Sequence, residues 1–113
     1  MSRDQLDQRI EYNDDFESSA PTTASGRFLV YEWDFYSRGD NWDFTLSIDP
    51  AICPGGLDLR GVAKEQIPAG VFFIQGTHAI ATNGSFLSES DMQSLVRRCV
   101  SEVEQLIPPG GRF

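Results

Sequence analysis

Apolar and polar residues alternate along Arg27–Ser37 (RFLVYEWDFYS) and again along Trp42–Asp49 (WDFTLSID), and both runs are rich in aromatic and β-branched side chains. That is the pattern of half-buried strands, and the Arg-Gly-Asp-Asn between them supplies turn residues, so a β-hairpin is predicted. A four-residue loop, Arg38–Asn41, sets Ser37 opposite Trp42, Phe35 opposite Phe44, Trp33 opposite Leu46 and Tyr31 opposite Ile48. Parity decides this register. Any even loop gathers the apolar residues on one face, whereas an odd one opposes them to polar neighbours. The other face then carries Tyr36 opposite Asp43, Asp34 opposite Thr45, Glu32 opposite Ser47 and Val30 opposite Asp49.

Further along, Gly70–Thr82 (GVFFIQGTHAIAT) reads as a buried strand that Gly76 can interrupt, followed by an Asn83-Gly84 turn. Residues 50–70 hold Pro50, Pro54 and Pro68 with Gly55, Gly56, Gly61 and Gly70, so turns are expected, with Leu57–Ala63 the segment able to form a short strand. Met92, Leu95, Val96, Cys99, Val100, Val103, Leu106 and Ile107 recur at helical spacing and predict one apolar helix stripe. Ser88 or Ser90 suits its start, and Pro108 and Pro109 its end. Upstream, Leu6 and Ile10 are too few apolar anchors to hold an isolated helix. Residues 1–26 therefore read as an acidic, weakly helical or disordered arm and a linker (Glu17–Gly26), and residues 27–113 as the folded domain. The predicted class is α+β: a four- or five-stranded antiparallel sheet packed against an amphipathic C-terminal helix.

Length and charge add to this picture. A chain of 113 residues suits one domain. Seventeen acids against nine bases give a net charge of −8, and the excess lies before residue 59, since residues 59–113 hold five of each sign. Such a surface repels nucleic acid and anionic lipid and favours a basic protein partner. There is no membrane-spanning run and no apolar secretory signal, which points to the cytoplasm. Cys53 and Cys99 lie far apart without metal or redox spacing and read as a loop thiol and a core filler.

The candidate chemistry lies on the carboxylate face. Glu32, Asp34, Asp43 and Asp49 share it, and Phe28 and Tyr36 fall beside them as contact residues. Like charges on one sheet face cost stability that a cationic partner relieves. The face has no calcium-loop spacing, so no metal or cofactor is expected, and a solvated surface or an acid–base pair are its other readings. His78 is the sole histidine and shares parity with Phe72, Ile74 and Ile80, which favours a satisfied core residue over a catalytic base. Arg38-Gly39-Asp40 reads as turn chemistry, and Asn83-Gly84-Ser85 is a glycosylation pattern that is idle without secretion. The run Val71–Leu106 is similar in pattern to the strand, turn and last helix of small acidic type III secretion chaperones, although residues 50–70 leave no place for that fold's middle helix. What this resemblance implies concerns fold alone.

The expected function is that of a small acidic protein-binding module: an inhibitor, regulator or adaptor that docks a basic surface, with nucleic-acid mimicry as one mode. The alternatives are a small enzyme using Asp34, Asp43 or His78, and a subunit of a larger assembly, such as a phage particle, with its arm on a neighbour.

Overall fold

In the computed structural model, which describes residues 9–19, 21–57, 59, 61–78 and 86–106, the chain forms one antiparallel sheet covered on one face by a helix. The strands are β1 (Ile10–Tyr12), β2 (Glu17–Ser18), β3 (Thr22–Phe28), β4 (Tyr31–Arg38), β5 (Asn41–Ser47) and β6 (Val71–Thr77), and the helix is α1 (Glu89–Leu106). Their order is β1-β3-β4-β5-β6, with β2 also pairing β3, so the predicted antiparallel sheet under a C-terminal helix is present, with six strands among the described residues.

The predicted hairpin is β4–β5. Ser37 opposes Trp42, Phe35 opposes Phe44 and Trp33 opposes Leu46. The ladder runs one pair further than expected, to Arg38 and Asn41, and leaves a two-residue turn at Gly39–Asp40. Gly39 takes φ +59°, a left-handed conformation that costs glycine little. Parity is preserved, so the faces are those predicted. The β4–β5 ladder ends at Glu32 and Ser47, one pair short of Tyr31 and Ile48; on its other side Tyr31 opposes Phe28 of β3, and Val30 lies in the turn between these strands.

Two N-terminal expectations are corrected. RFLVYEWDFYS is not one strand, because the chain reverses at Leu29–Val30 with Leu29 at φ +58°. The expected linker contains β2 and most of β3, and the expected arm contains β1, so the boundary at residue 26 falls inside a strand. Ile10 is buried in the core. The physical reason is the space taken by Trp33 and Phe35: Ala24 and Gly26 face the core as small residues, and the Trp33 ring lies over Gly26. A Cβ on Gly26 would come 1.9 Å from the Glu11 carbonyl oxygen and 2.6 Å from the Trp33 ring. The same device recurs where Trp42 of β5 lies over Gly76 of β6.

The helix buries Met92, Val96, Cys99, Val100 and Val103 against Phe28, Trp33, Phe35, Phe44 and Leu46. Full burial of each such side chain stabilises by about 1.5–3 kcal/mol. Ser88 is the cap: its Oγ accepts from the Asp91 N–H at 3.1 Å, and Glu89 and Asp91 complement the helix dipole. Burial pushes the Cys99 thiol up to about 12, the behaviour of an inert core residue. At the far end, the Arg9 guanidinium reaches Glu104 at 3.7 Å and stands 5.5 Å over the Phe28 ring.

Between β5 and β6 the chain makes two short 3-10 turns, Pro54–Gly56 and Lys64–Gln66, and Leu57–Ala63 forms no strand among its described residues. The expected Asn83-Gly84 turn and the Pro108–Pro109 stop lie outside the described residues. No described helix is long and apolar enough to cross a membrane.

Candidate functional site

The face of the sheet turned away from α1 is where the carboxylates lie, but it is not an open surface. After β5 the chain turns back. The Asp49 side chain accepts from the Ala51 N–H at 2.9 Å, its carbonyl accepts from the Ile52 N–H, and the 3-10 turn at Pro54–Gly56 then packs on β4 and β5. Pro54 is buried there together with Thr45 and Ser47. The result is a cleft of about 260 Å³, with Asp34, Ser25, Asn13, Cys53 and Gly55 in its lining. A Cβ on Gly55 would stand 3.6 Å from Asp34 Oδ1, so the glycine lets the turn close over the carboxyl.

Asp34 is the centre of this arrangement. It opposes Ser25 on β3 and Thr45 on β5, with Asp43 diagonal to it. Asp15, in the turn between β1 and β2, accepts hydrogen bonds from the Ser25 N–H (3.1 Å) and from Ser25 Oγ. Asn13 Nδ2 donates to the same Oγ at 2.9 Å. Asp15 is thereby held on the flank of Asp34. Burial first, and then the charges of Asp43 and Asp15, push the Asp34 carboxyl up from 3.8 to about 6. Arg27 also lines the cleft.

The other expected site residues divide. Glu32 is exposed at the rim, opposite Arg27. Asp43 and Tyr36 oppose one another and are half-buried. Asp49 is not on the strand face. It lines a separate hollow of about 320 Å³ with Arg27, Tyr31, Ile48 and Pro50. Phe28 is corrected outright: it is fully buried against α1, because the reversal at Leu29–Val30 puts it in a different strand from Tyr36. Asn13, Asp15, Ser25 and Cys53 were not among the expected residues. The signal was present in Asn13-Asp14-Asp15, turn-forming residues set between Tyr12 and Phe16, both partly buried against the core.

His78 stands elsewhere, beyond the end of β6. Its Nε2 lies 2.6 Å from Ser37 Oγ and its N–H donates to the Asp40 carbonyl. Burial lowers its pKa, against the opposing pull of Asp40 and Asp91. Ser37 is fully buried and His78 half-buried, so the hydrogen bond between them is part-buried. Among the described residues, no cluster of His, Cys, Asp and Glu is arranged to hold a metal ion.

No family model matches this chain, and comparison with curated proteins and with solved structures gives no match.

Proposed function

We propose that the protein is a binding module whose Asp34 cleft receives a lysine or arginine side chain from a basic protein partner. One observation carries this reading: a half-buried carboxyl in a cleft has its pKa pushed up to about 6, first by burial and then by the charges of Asp43 and Asp15. An inserted cation offsets all three penalties at once, and a charge-assisted hydrogen bond in a partly dry cleft is stronger than one on an open surface. A recessed, partly protonated carboxyl suits one inserted side chain better than it suits a row of phosphate-like charges, so nucleic-acid mimicry gains no support from this shape. The assembly reading asks for an arm directed away from its own body, and β1, β2 and β3 instead pair within the sheet.

Binding of this kind takes the proton off Asp34, so affinity rises with pH through about 6. The test is calorimetric titration with short arginine- and lysine-containing peptides at pH 5 and pH 7.5 in low and high salt. Wild type is expected to bind more tightly at the higher pH and at low salt, and Asp34→Asn to lose most of the affinity. Equal affinity of the variant and the wild type at both pH values sinks the reading.

A second reading rests on the same carboxyl. A group that titrates near 6 in a polar cleft is poised for general acid or base work. The ligand is then a small molecule, and its binding does not require positive charge. Saturable binding of an uncharged compound in the cleft, abolished by Asp34→Asn, favours the enzyme over the module.

A further inference from the structure

The two edges of the sheet are built differently. One edge is broken into the short strands β1 and β2, which both pair β3 and are separated by the turn Asn13–Phe16. The other is β6, VFFIQGT: seven residues with no charge and no proline. Charges, prolines and short lengths are the usual protections of an edge, and β6 has none of them.

The direction of its backbone groups follows from two hydrogen bonds. The Ile48 N–H donates to the Gly70 carbonyl and the His78 N–H to the Asp40 carbonyl, and both pairs share the β5–β6 register. In an antiparallel ladder bonded and non-bonded pairs alternate, so the even-numbered residues of β6 bond inward to β5. Val71, Phe73, Gln75 and Thr77 direct their N–H and C=O outward. The Val71 N–H is taken by the Pro68 carbonyl. Phe73, Gln75 and Thr77 have no described strand beyond them.

We infer that β6 pairs with β6 of a second copy of this chain, antiparallel and about a two-fold axis at Gln75, joining two sheets into one. In this register Phe73 opposes Thr77 of the other copy and Gln75 opposes its own counterpart. Every outward N–H and C=O of these three residues is satisfied, and the Val71–Pro68 bond is left intact. Side chains fit the same symmetry. A cavity of about 480 Å³ lies at the Thr77 end of the strand, lined by Asn41, Asp43, Gln75 and Thr77 among others. The register brings the half-buried Phe73 ring of each copy beside Thr77 of the other, at the mouth of that cavity. On the helix face Ile74 opposes Gly76, which leaves room for the Trp42 ring already lying there.

Charge does not oppose a second copy at this edge, and the reciprocal Phe73–Thr77 fit favours one. A chain of net charge −8 resists meeting its equal almost anywhere, but no charged residue lies on β6. The nearest like pair on this face, Asp43 with its counterpart, is three strand spacings apart, about 14 Å. That exceeds the ~8–10 Å over which salt screens charges.

The experiment is sedimentation equilibrium of the full chain over a wide concentration range, with Gln75→Lys, Gln75→Glu and their equimolar mixture. Gln75 is exposed, so neither substitution disturbs the core. Wild type is expected to reach twice the 12.6 kDa chain mass. Each variant is expected to self-associate at least tenfold more weakly, because like charges then oppose each other on the axis, and the mixture is expected to recover the dimer. Slowed hydrogen exchange at the Phe73, Gln75 and Thr77 amides with rising concentration supports the same pairing. A wild type that stays at chain mass throughout overturns the inference. So do variants that associate as wild type does, a mixture that recovers nothing, or capture of a different protein's strand in place of self-pairing.

Discussion

The hairpins β3–β4 and β4–β5 share a strand, have turns of the same length and lie side by side in one sheet, yet they are stabilised differently. In β4–β5 the turn is Gly39–Asp40, and glycine occupies the left-handed position. Large residues face large residues across it, as Phe35 faces Phe44 and Trp33 faces Leu46. In β3–β4 the left-handed position is held by Leu29, where a side chain costs roughly 1–2 kcal/mol. Across that hairpin large residues face small ones, Trp33 over Gly26 and Phe35 beside Ala24. Among the described residues the buried indole N–H of Trp33, on the strand both hairpins share, has no hydrogen-bond partner, a cost of about 1–3 kcal/mol. One hairpin is stabilised locally and the other is held by its surroundings. Local preference therefore identifies the first and is silent on the second.

The largest expected effect comes from the glycine beneath Trp33. Gly26→Ala drives a methyl into the Glu11 carbonyl as well as the ring, and neither can retreat without opening the β1–β3 pairing. A loss of about 3 kcal/mol or more is expected in denaturant melts. Gly76→Ala, in the matching position under Trp42, meets side-chain atoms only and is expected to cost clearly less. Equal losses for the two would show that β3–β4 is no more dependent on its surroundings than its neighbour.

A smaller effect, opposite in sign, is expected at the carboxyl that both hairpins surround. Asp34 has its folded pKa raised from 3.8 to about 6. Its contribution to stability is therefore complete below about pH 4 and lost as pH rises through about 6. Asp34→Asn should leave stability nearly unchanged at pH 4 and raise it at pH 7.5. After discounting for solvent screening, the gain is about 1–2 kcal/mol. Thermal melts at the two pH values check this, and a variant less stable than wild type at pH 7.5 contradicts it.

The smallest effect is the sharpest for the comparison itself. Leu29→Gly removes the left-handed strain from an exposed position, with a gain of up to about 1 kcal/mol after the entropy cost of glycine. Gly39→Ala introduces that strain into the relaxed turn and should cost about 1 kcal/mol. Opposite signs in paired melts are expected, and matching signs would erase the distinction between the turns.

The same contrast explains how far the residues foretold the molecule. The β4–β5 register was legible because turn chemistry and apolar alternation agree there. The helix was legible from its stripe and its serine cap. β3 was not, since its inward residues (Thr22, Ala24, Gly26) are small and show no apolar alternation. The volume they lack is supplied by tryptophan and phenylalanine on the next strand, and no local pattern reports that. Nor does Leu29-Val30 resemble a turn. For the site, parity placed Asp34 and Asp43 on one face correctly. It had no means of showing that residues 50–57 fold over that face, that Asp15 arrives from an apparent arm, or that Phe28 belongs to another strand.

The position of α1 in the chain has a consequence for how the protein is made. Every strand of the sheet precedes it, and the face bearing Trp33, Phe35, Phe44 and Leu46 is covered by nothing else so extensive. A growing chain emerging from the ribosome therefore holds the described strands with a wet aromatic face until α1 has been synthesised. Burial is withheld until α1 emerges, and the nascent strands are most exposed to misassociation just before then.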